Sequence, residues 1–280
     1  MSVPYIVLDL GYLCYRAFYS TGHLSFEETK TGVLFGVFRD IKTFSELFGS
    51  NRFIFCFDSR ESKRKAIFPG YKASRKNRYD EMEEDERLAH EELRKQRDFL
   101  ETRYLPRIGY KNILSQPGYE ADDLIAAFCN GLDSDEEAVV VGTDGDLYQI
   151  LREGVTIWNP AKSKAITAES FTGEWGISPS QWADVKALAG CHTDDVPGLD
   201  GVGEKTAVKF LTGTLKPGGV AYSKITAAND LWKRNLELVR LPLPGCVRPE
   251  VLQDEVTVEK WQYVMDRLGM SSLRELAMPF

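Results

Sequence analysis

At 280 residues, 43% hydrophobic and 11% aromatic, the chain carries enough apolar material for one large core or two modest ones, which excludes a disordered protein. No stretch approaches the roughly 18 apolar residues needed to cross a bilayer, and the N-terminus enters a strand pattern without a basic leader, so a soluble, cytosolic (cytoplasmic) protein is expected. The net charge of −7 argues at first sight against a polyanionic partner. Its distribution reverses that impression, because residues 60–78 hold eight Lys or Arg against the single acid Glu61, while residues 80–92 hold eight acids against Arg87. The five cysteines are widely spaced with no C-x-x-C pair, and read as reduced thiols rather than a disulfide framework or zinc site.

In chain order, residues 5–10 form an apolar, β-prone run that Gly11 turns into a helix over 12–19. Apolar residues at Val33, Leu34, Val37, Phe38, Ile41, Phe44, Leu47 and Phe48 give residues 32–48 the spacing of an amphipathic helix. A second buried strand over 52–58 leads into the basic segment, where Pro69 and Gly70 signal a turn, and this segment is expected to be mobile without substrate. Residues 81–103 fit a long solvent-facing helix ended by Pro106 and Gly109. A helix over 120–131 and strands over 138–141 and 155–158 complete an alternation that implies a parallel α/β sheet. Past about Gly176 the texture changes to shorter helical patterns, so a first unit at 1–175 and a second at 176–280 are expected, the last ending in a helix from Trp261 to Leu268.

Seven carboxylates stand in four clusters, each near the end of a short apolar run or the start of a helix: Asp9; Asp58; Glu120, Asp122 and Asp123; Asp144 and Asp146. In an open parallel sheet the ligand crevice lies beyond the carboxyl ends of the strands, so these acids are expected to converge there. On a helix, Glu120 and Asp123 share a face while Asp122 points elsewhere. That many negative charges cannot be held together without cations, and hard divalent ions with oxygen ligands catalyse phosphodiester hydrolysis. A lone Asp is often only a cap or turn residue, but the joint pattern points to a metal-dependent nuclease. In the second region, Gly201-Val-Gly203 before Glu-Lys-Thr-Ala can set free backbone N–H groups at a helix N-terminus, with Lys205 and Thr206 adding donors for a phosphate.

Five runs occur together and in order: Leu8-Asp-Leu-Gly-Tyr-Leu-Cys-Tyr-Arg-Ala-Phe18, Tyr71-Lys-Ala-Ser-Arg75, Tyr119-Glu-Ala-Asp-Asp-Leu124, Gly142-Thr-Asp-Gly-Asp146 and Pro197-Gly-Leu-Asp-Gly-Val-Gly-Glu-Lys-Thr-Ala207. Over roughly residues 3–240 the chain resembles the flap endonuclease family, above all the 5′ nuclease domain of bacterial DNA polymerase I and the free-standing phage 5′-3′ exonucleases. The resemblance implies a PIN-like, mostly parallel sheet with flanking helices, a helical arch at about 60–100, and a helix-three-turn-helix element at about 185–212. It implies a Mg²⁺-dependent 5′-3′ exonuclease and flap endonuclease acting on branched DNA or RNA primers, as a monomer, with a replication polymerase as a further partner. Asp9, Asp58, Glu120, Asp122 and Asp123 would serve the first metal, and Asp144, Asp146 and Asp194 the second. Lys72 and Arg75 would stabilise the scissile phosphate from the arch, Arg16 would help position it, and Tyr71 would stack on a base. A K⁺ ion would be held by main-chain carbonyls from about Pro197, Leu199 and Val202.

One departure stands out. Where the bacterial relatives begin this element Gly-Asp-x-x-Asp-Asn, the chain reads Gly190-Cys-His-Thr-Asp-Asp195. A soft sulfur ligand suits Mg²⁺ badly, so the second metal is expected to bind weakly, to be replaced by Mn²⁺, or to use Asp195 or His192. This motivates a rival reading, a catalytically weak DNA junction-binding protein; a third, an RNase H-like primer remover, stands because base-independent phosphate contacts look alike for DNA and RNA.

Overall fold

The computed structural model describes residues 3–275. Strand β1 (Tyr5–Asp9) runs directly into helix α1 (Leu10–Thr21); a small hairpin, β2 (Ser25–Phe26) and β3 (Thr29–Lys30), leads to α2 (Gly32–Phe48) and then β4 (Phe53–Cys56). The arch follows as α3 (Arg64–Ile67), α4 (Ala73–Asp80) and α5 (Glu84–Phe99), and returns through a π-helical turn (Leu100–Tyr104) and α6 (Leu105–Ile108) to β5 (Ile113–Leu114). Helix α7 (Ala121–Asn130), β6 (Ala138–Val141), a 3₁₀ turn (Gly145–Ile150), β7 (Val155–Asn159), β8 (Lys164–Ile166) and α8 (Ala168–Trp175) complete the first half. The second half holds α9 (Trp182–Ala189), the short pair β9 (Gly190–Cys191) and β10 (Val196–Pro197), then α10 (Glu204–Leu211), α11 (Val220–Ala227), α12 (Asn229–Val239) and α13 (Val258–Arg267). The basic stretch is helical in two pieces, α3 and α4, broken where the Pro69-Gly70 turn falls.

The main sheet has the order β5-β4-β1-β6-β7-β8, parallel except for the β7–β8 edge. Side chains alternate across it, as a strand period of two requires. Ile6, Leu8, Phe53 and Phe55 face a core shared with α1 and α2, while Val7, Ile54, Cys56, Val140 and Ile157 face one shared with α7 and α9. Burial on both faces explains why the strands read as continuous apolar runs. Register then places the site: Leu8 pairs with Phe55 and Val141, and Asp9 with Cys56, so the segments leaving β1, β4 and β6 emerge side by side.

Packing crosses the expected boundary near Gly176 in two places. Trp182, Val185, Val202, Ala207 and Ile225 share one core with Val7 and Ile54. Helix α13 returns to the other face, where Trp261 meets Phe38 edge-to-face at 5.7 Å and donates its indole N–H to the Leu273 carbonyl at 2.7 Å. His90 is buried against Phe18. Among the described residues no helix is long and apolar enough to cross a membrane. Because Trp261 is fully buried in the core of the first half, Trp261→Ala is expected to cost about 3–5 kcal/mol of unfolding free energy. Chemical denaturation reads this, and a loss below ~1 kcal/mol would show that α13 is only loosely docked.

Candidate metal centre and basic cleft

The acids reach one crevice by four routes. Asp9 closes β1 and caps α1, accepting the Tyr12 N–H at 3.0 Å. Asp58, two residues beyond β4, accepts the Ala121 N–H at 2.9 Å and so fastens the start of α7. Asp144, three residues beyond β6, caps the 3₁₀ turn by accepting the Asp146 N–H at 2.8 Å. Asp122, in the first turn of α7, faces these three. Burial first, and then the charges of Asp144, Asp9 and Asp58, push its carboxyl well above the ordinary range. One of its oxygens, Oδ1, is buried without a hydrogen-bond donor. Burial and the neighbouring Asp58 carry Asp9 up to about 7.

The gap between these groups is kept open by glycine. A Cβ on Gly11 would lie 3.0 Å from Asp58 Oδ2 and 3.1 Å from Asp9 Oδ1. An all-oxygen donor set, an undonated buried oxygen and a space no side chain fills suit a hard divalent cation. Asp9, Asp58, Asp122 and Asp144 are the residues that could hold it.

Other acids of the expected set are engaged by protein cations. Asp123 forms a bidentate pair with Arg64 at 2.6 and 2.7 Å and accepts backbone N–H groups of Glu120 and Leu243, so it is a structural anchor rather than a free ligand. Glu120 accepts Lys72 Nζ at 2.7 Å and the Tyr71 hydroxyl at 2.9 Å. Tyr71 is 2% exposed and also donates to Asp194 Oδ2 at 3.0 Å, which removes it as a base-stacking platform. Arg75 reaches Asp194 Oδ1 at 2.9 Å. Asp195 accepts the Ser74 N–H at 2.8 Å near the start of α4, turned away from the metal role. Arg16 is tied to Asp40 on α2 at 2.7 Å, and the structure gives it no contact with the carboxylate cluster.

A second group lies beside the first: Asp146, Cys191 and Asp194 offer ligand atoms within 4.8 Å of one another. Burial and then Asp144 raise the Asp146 carboxyl to about 6, against the lowering effect of Lys186, whose Nζ is 3.1 Å from Oδ1. Outside the acids, a cleft of about 690 Å³ opens under the arch, bordered by Arg60, Lys65, Lys72, Arg75, Lys76 and Arg94 and reaching Asp58 and Glu120. Farther off, Gly201 adopts φ +76° and Gly203 is the N-cap of α10, with Lys205 exposed and Thr206 part-exposed in its first turn. The Pro197 carbonyl already accepts Asn235 Nδ2 at 2.7 Å and the Leu199 carbonyl the Val202 N–H at 2.9 Å, so two of the three carbonyls expected to hold K⁺ already accept hydrogen bonds.

Sequence reasoning missed Arg64 and Lys186. Arg64 is 2% exposed, and besides Asp123 it donates through Nε to the Leu238 carbonyl at 2.7 Å, pinning the arch base to α7 and α12. Its only sequence signal is membership of a basic run; nothing there marks it as the buried one.

Removing Arg64 would leave Asp123 buried and unpaired. We expect Arg64→Ala to destabilise the protein by about 3–5 kcal/mol, and the double variant with Asp123→Ala to recover part of that loss; simple additivity in denaturant unfolding would refute the pairing. For Asp9 and Asp146 the folded-state pKa lies above the ordinary value, so their contribution to stability is complete below about pH 4 and is lost as pH rises through about 6 to 7. In chelator, melting temperature should therefore fall between pH 5 and 8. Asp9→Asn keeps an acceptor for the Tyr12 N–H but removes the charge, and should raise stability at pH 8 by ~1–3 kcal/mol. A flat profile in the unaltered protein would contradict this account.

Comparisons with known proteins give the family and the fold. The family described as 5′-3′ exonuclease, N-terminal resolvase-like domain, matches residues 4–176. A 5′-3′ exonuclease of Buchnera aphidicola is 28% identical over 212 residues, covering 74% of this chain and 69% of that protein. DNA polymerase I of Mycobacterium bovis is 31% identical over 215 residues, or 74% of this chain, which spans only about a fifth (22%) of that polymerase's length. A structure of T5 5′-exonuclease with bound zinc superposes with a TM-score of 0.73 at 18% identity, covering 97% of this chain and all of that one, and shows a shared fold. The chain belongs to the 5′-3′ exonuclease family.

Proposed function

We propose that this nuclease is a structure-specific 5′-3′ exonuclease and flap endonuclease that hydrolyses phosphodiesters of branched DNA, and of RNA primers, with Mg²⁺ at the Asp9, Asp58, Asp122 and Asp144 centre. The observation that carries the reading is the meeting of two opposite surfaces: the Asp9, Asp58, Asp122 and Asp144 cluster, without an ion pair among the described residues, adjoins at Asp58 a cleft whose rim is largely basic. A phosphodiester backbone is drawn to the rim and its reacting bond is delivered to the acids. Lewis acidity that polarises the phosphate and lowers the pKa of water is what bound divalent cations supply at such a centre.

The protein's own groups do the rest. Lys72 and Arg75 stand between carboxylates and cleft, so an incoming phosphate can exchange with Glu120 and Asp194 as their partner and take up their charge as it develops negative charge. The N-terminus of α10, at Gly201 and Gly203 with Lys205 and Thr206, holds a phosphate of the duplex arm through free backbone N–H groups. No covalent nucleophile is needed. Action as a monomer in the cytoplasm beside a replication polymerase accords with this chemistry.

The test is cleavage of a 5′-labelled DNA flap and its RNA counterpart. Asp122→Ala and Asp144→Ala should each lower cleavage at least ~10²-fold while junction binding persists. Undiminished cleavage in either variant would overturn the assignment of the centre. Junction binding without turnover in both Mg²⁺ and Mn²⁺ by the unaltered protein would favour the binding-only reading instead.

A further inference from the structure

The second group of ligands differs in kind from the first. Asp146 and Asp194 are joined there by a thiol, Cys191, which is 5% exposed and lies on β9. Its Sγ is 3.6 Å from Asp146 Oδ2. A tetrahedral ion with bond lengths of about 2.0 Å to oxygen and 2.3 Å to sulfur separates two such ligands by ~3.5 Å, so this pair already stands at coordination spacing. Lys186 approaches Asp146 through the other oxygen, Oδ1, and leaves Oδ2 turned toward the sulfur. Asp146 itself is 9% exposed, its Oδ1 ion-paired with the Lys186 ammonium and its Oδ2 accepting only the long contact from the Cys191 thiol. Asp194 holds one protein donor within 3.0 Å on each oxygen, and a carboxylate oxygen has lone pairs for a further partner.

We propose that Asp146, Cys191 and Asp194 form a thiol-containing site selective for thiophilic divalent cations, such as zinc, cadmium or cobalt, over magnesium, with Cys191 Sγ as a direct ligand. The inference rests on the reading of the acidic crevice as a metal-dependent centre and specifies the ion that its second half takes. Hard Mg²⁺ favours oxygen donors, whereas thiolate draws softer ions. Coordination breaks the S–H bond, sends the proton to solvent, forms the metal–sulfur bond and displaces water from the ion, with no change in oxidation state. Lys186 and Arg75 neutralise the carboxylates from outside the triad, so the added charge enters a site that already holds two counter-cations. The two halves of the crevice would then differ in ion preference, with all-oxygen ligands on one side and mixed ligands on the other.

The test is a titration of the full chain with Cd²⁺ or Co²⁺, read by the thiolate-to-metal charge-transfer band in ultraviolet difference spectra. The unaltered protein should develop the band with saturation near one equivalent. Cys191→Ser should abolish it and weaken cadmium binding at least ~10-fold, since loss of even an outer-shell partner has effects of that size. Cys191→Asp should also lack the band while binding Mn²⁺ more tightly by electron paramagnetic resonance. Near-ultraviolet circular dichroism establishes that each variant is folded, and Cys191→Ala replaces any that is not. No band in the unaltered protein, or an equal band in Cys191→Ser, overturns the proposal. Flap cleavage is scored separately: a Cys191-dependent band without cleavage defeats the flap-nuclease reading and leaves the site standing, whereas cleavage without the band does the reverse.

Discussion

Charge repulsion inside the crevice is the constraint around which the rest of the protein is arranged. Two like charges about 5 Å apart, at an effective dielectric of 20, repel by ~3 kcal/mol, and here several acids share one edge of the sheet. Pairing of β1 with β4 and β6 holds the chain segments that carry them in fixed register, so they cannot move apart without breaking the sheet. Backbone N–H groups of Tyr12, Ala121 and Asp146 soften the repulsion locally. The protein then divides its acids. Glu120, Asp123 and Asp194 are answered by Lys72, Arg64 and Arg75, whereas Asp9, Asp58, Asp122 and Asp144 have no ion pair among the described residues.

The two arginines of the arch base have opposite tasks because their solvent exposure differs. Arg64 is buried, bidentate and bonded to a backbone carbonyl, so breaking its pair strands a charge at a cost of about 3–5 kcal/mol. Arg75 is 53% exposed and makes a single short contact to Asp194, a kind of pair that contributes about 0–1 kcal/mol. In the proposed function a phosphate would displace the second and not the first. Lys72 lies between them in burial and sits at φ +53°, a left-handed conformation that turns the chain from the Pro69-Gly70 bend into α4 and directs its ammonium at Glu120. The arch is thus bolted at its root and exchangeable a few residues on.

Strands, the long helices and the converging acids were legible in the sequence because each rests on local pattern: apolar runs between turn residues, 3.6-residue spacing, and acids placed directly after strands. The helical geometry of residues 120–123 was enough to separate Asp122 from its neighbours, and the structure bears that out, with Asp123 turned to Arg64 and Asp122 to the cluster. What could not be read was partnership across the chain. Arg64 meets a carbonyl 174 residues away at Leu238, and Asp195 meets the Ser74 N–H from 121 residues away. Tyr71, for which the resemblance implied stacking on a base, instead fills a buried position between two carboxylates. Cys191 was visible as an anomaly, but only its position 3.6 Å from Asp146 gives that anomaly a chemical meaning.

The continuity of packing past Gly176 has a functional consequence. Helix α9 buries Val185 and Leu188 in the core that also contains Val7 and Ile54, and from the same helix Lys186 extends to Asp146. Val202 and Ala207, on either side of the α10 N-cap, belong to that core as well. Asn235 of α12 is fully buried and bridges the carbonyls of Ala187 and Pro197. A phosphate held at the start of α10 would therefore be positioned by the same rigid body that positions Asp144 and Asp146. Protein interiors are close-packed and transmit displacement rather than absorb it, so the span between the grip on the duplex arm and the reacting bond would be set by the fold. Cleavage position would then follow from where the duplex begins, with no base-specific contact required.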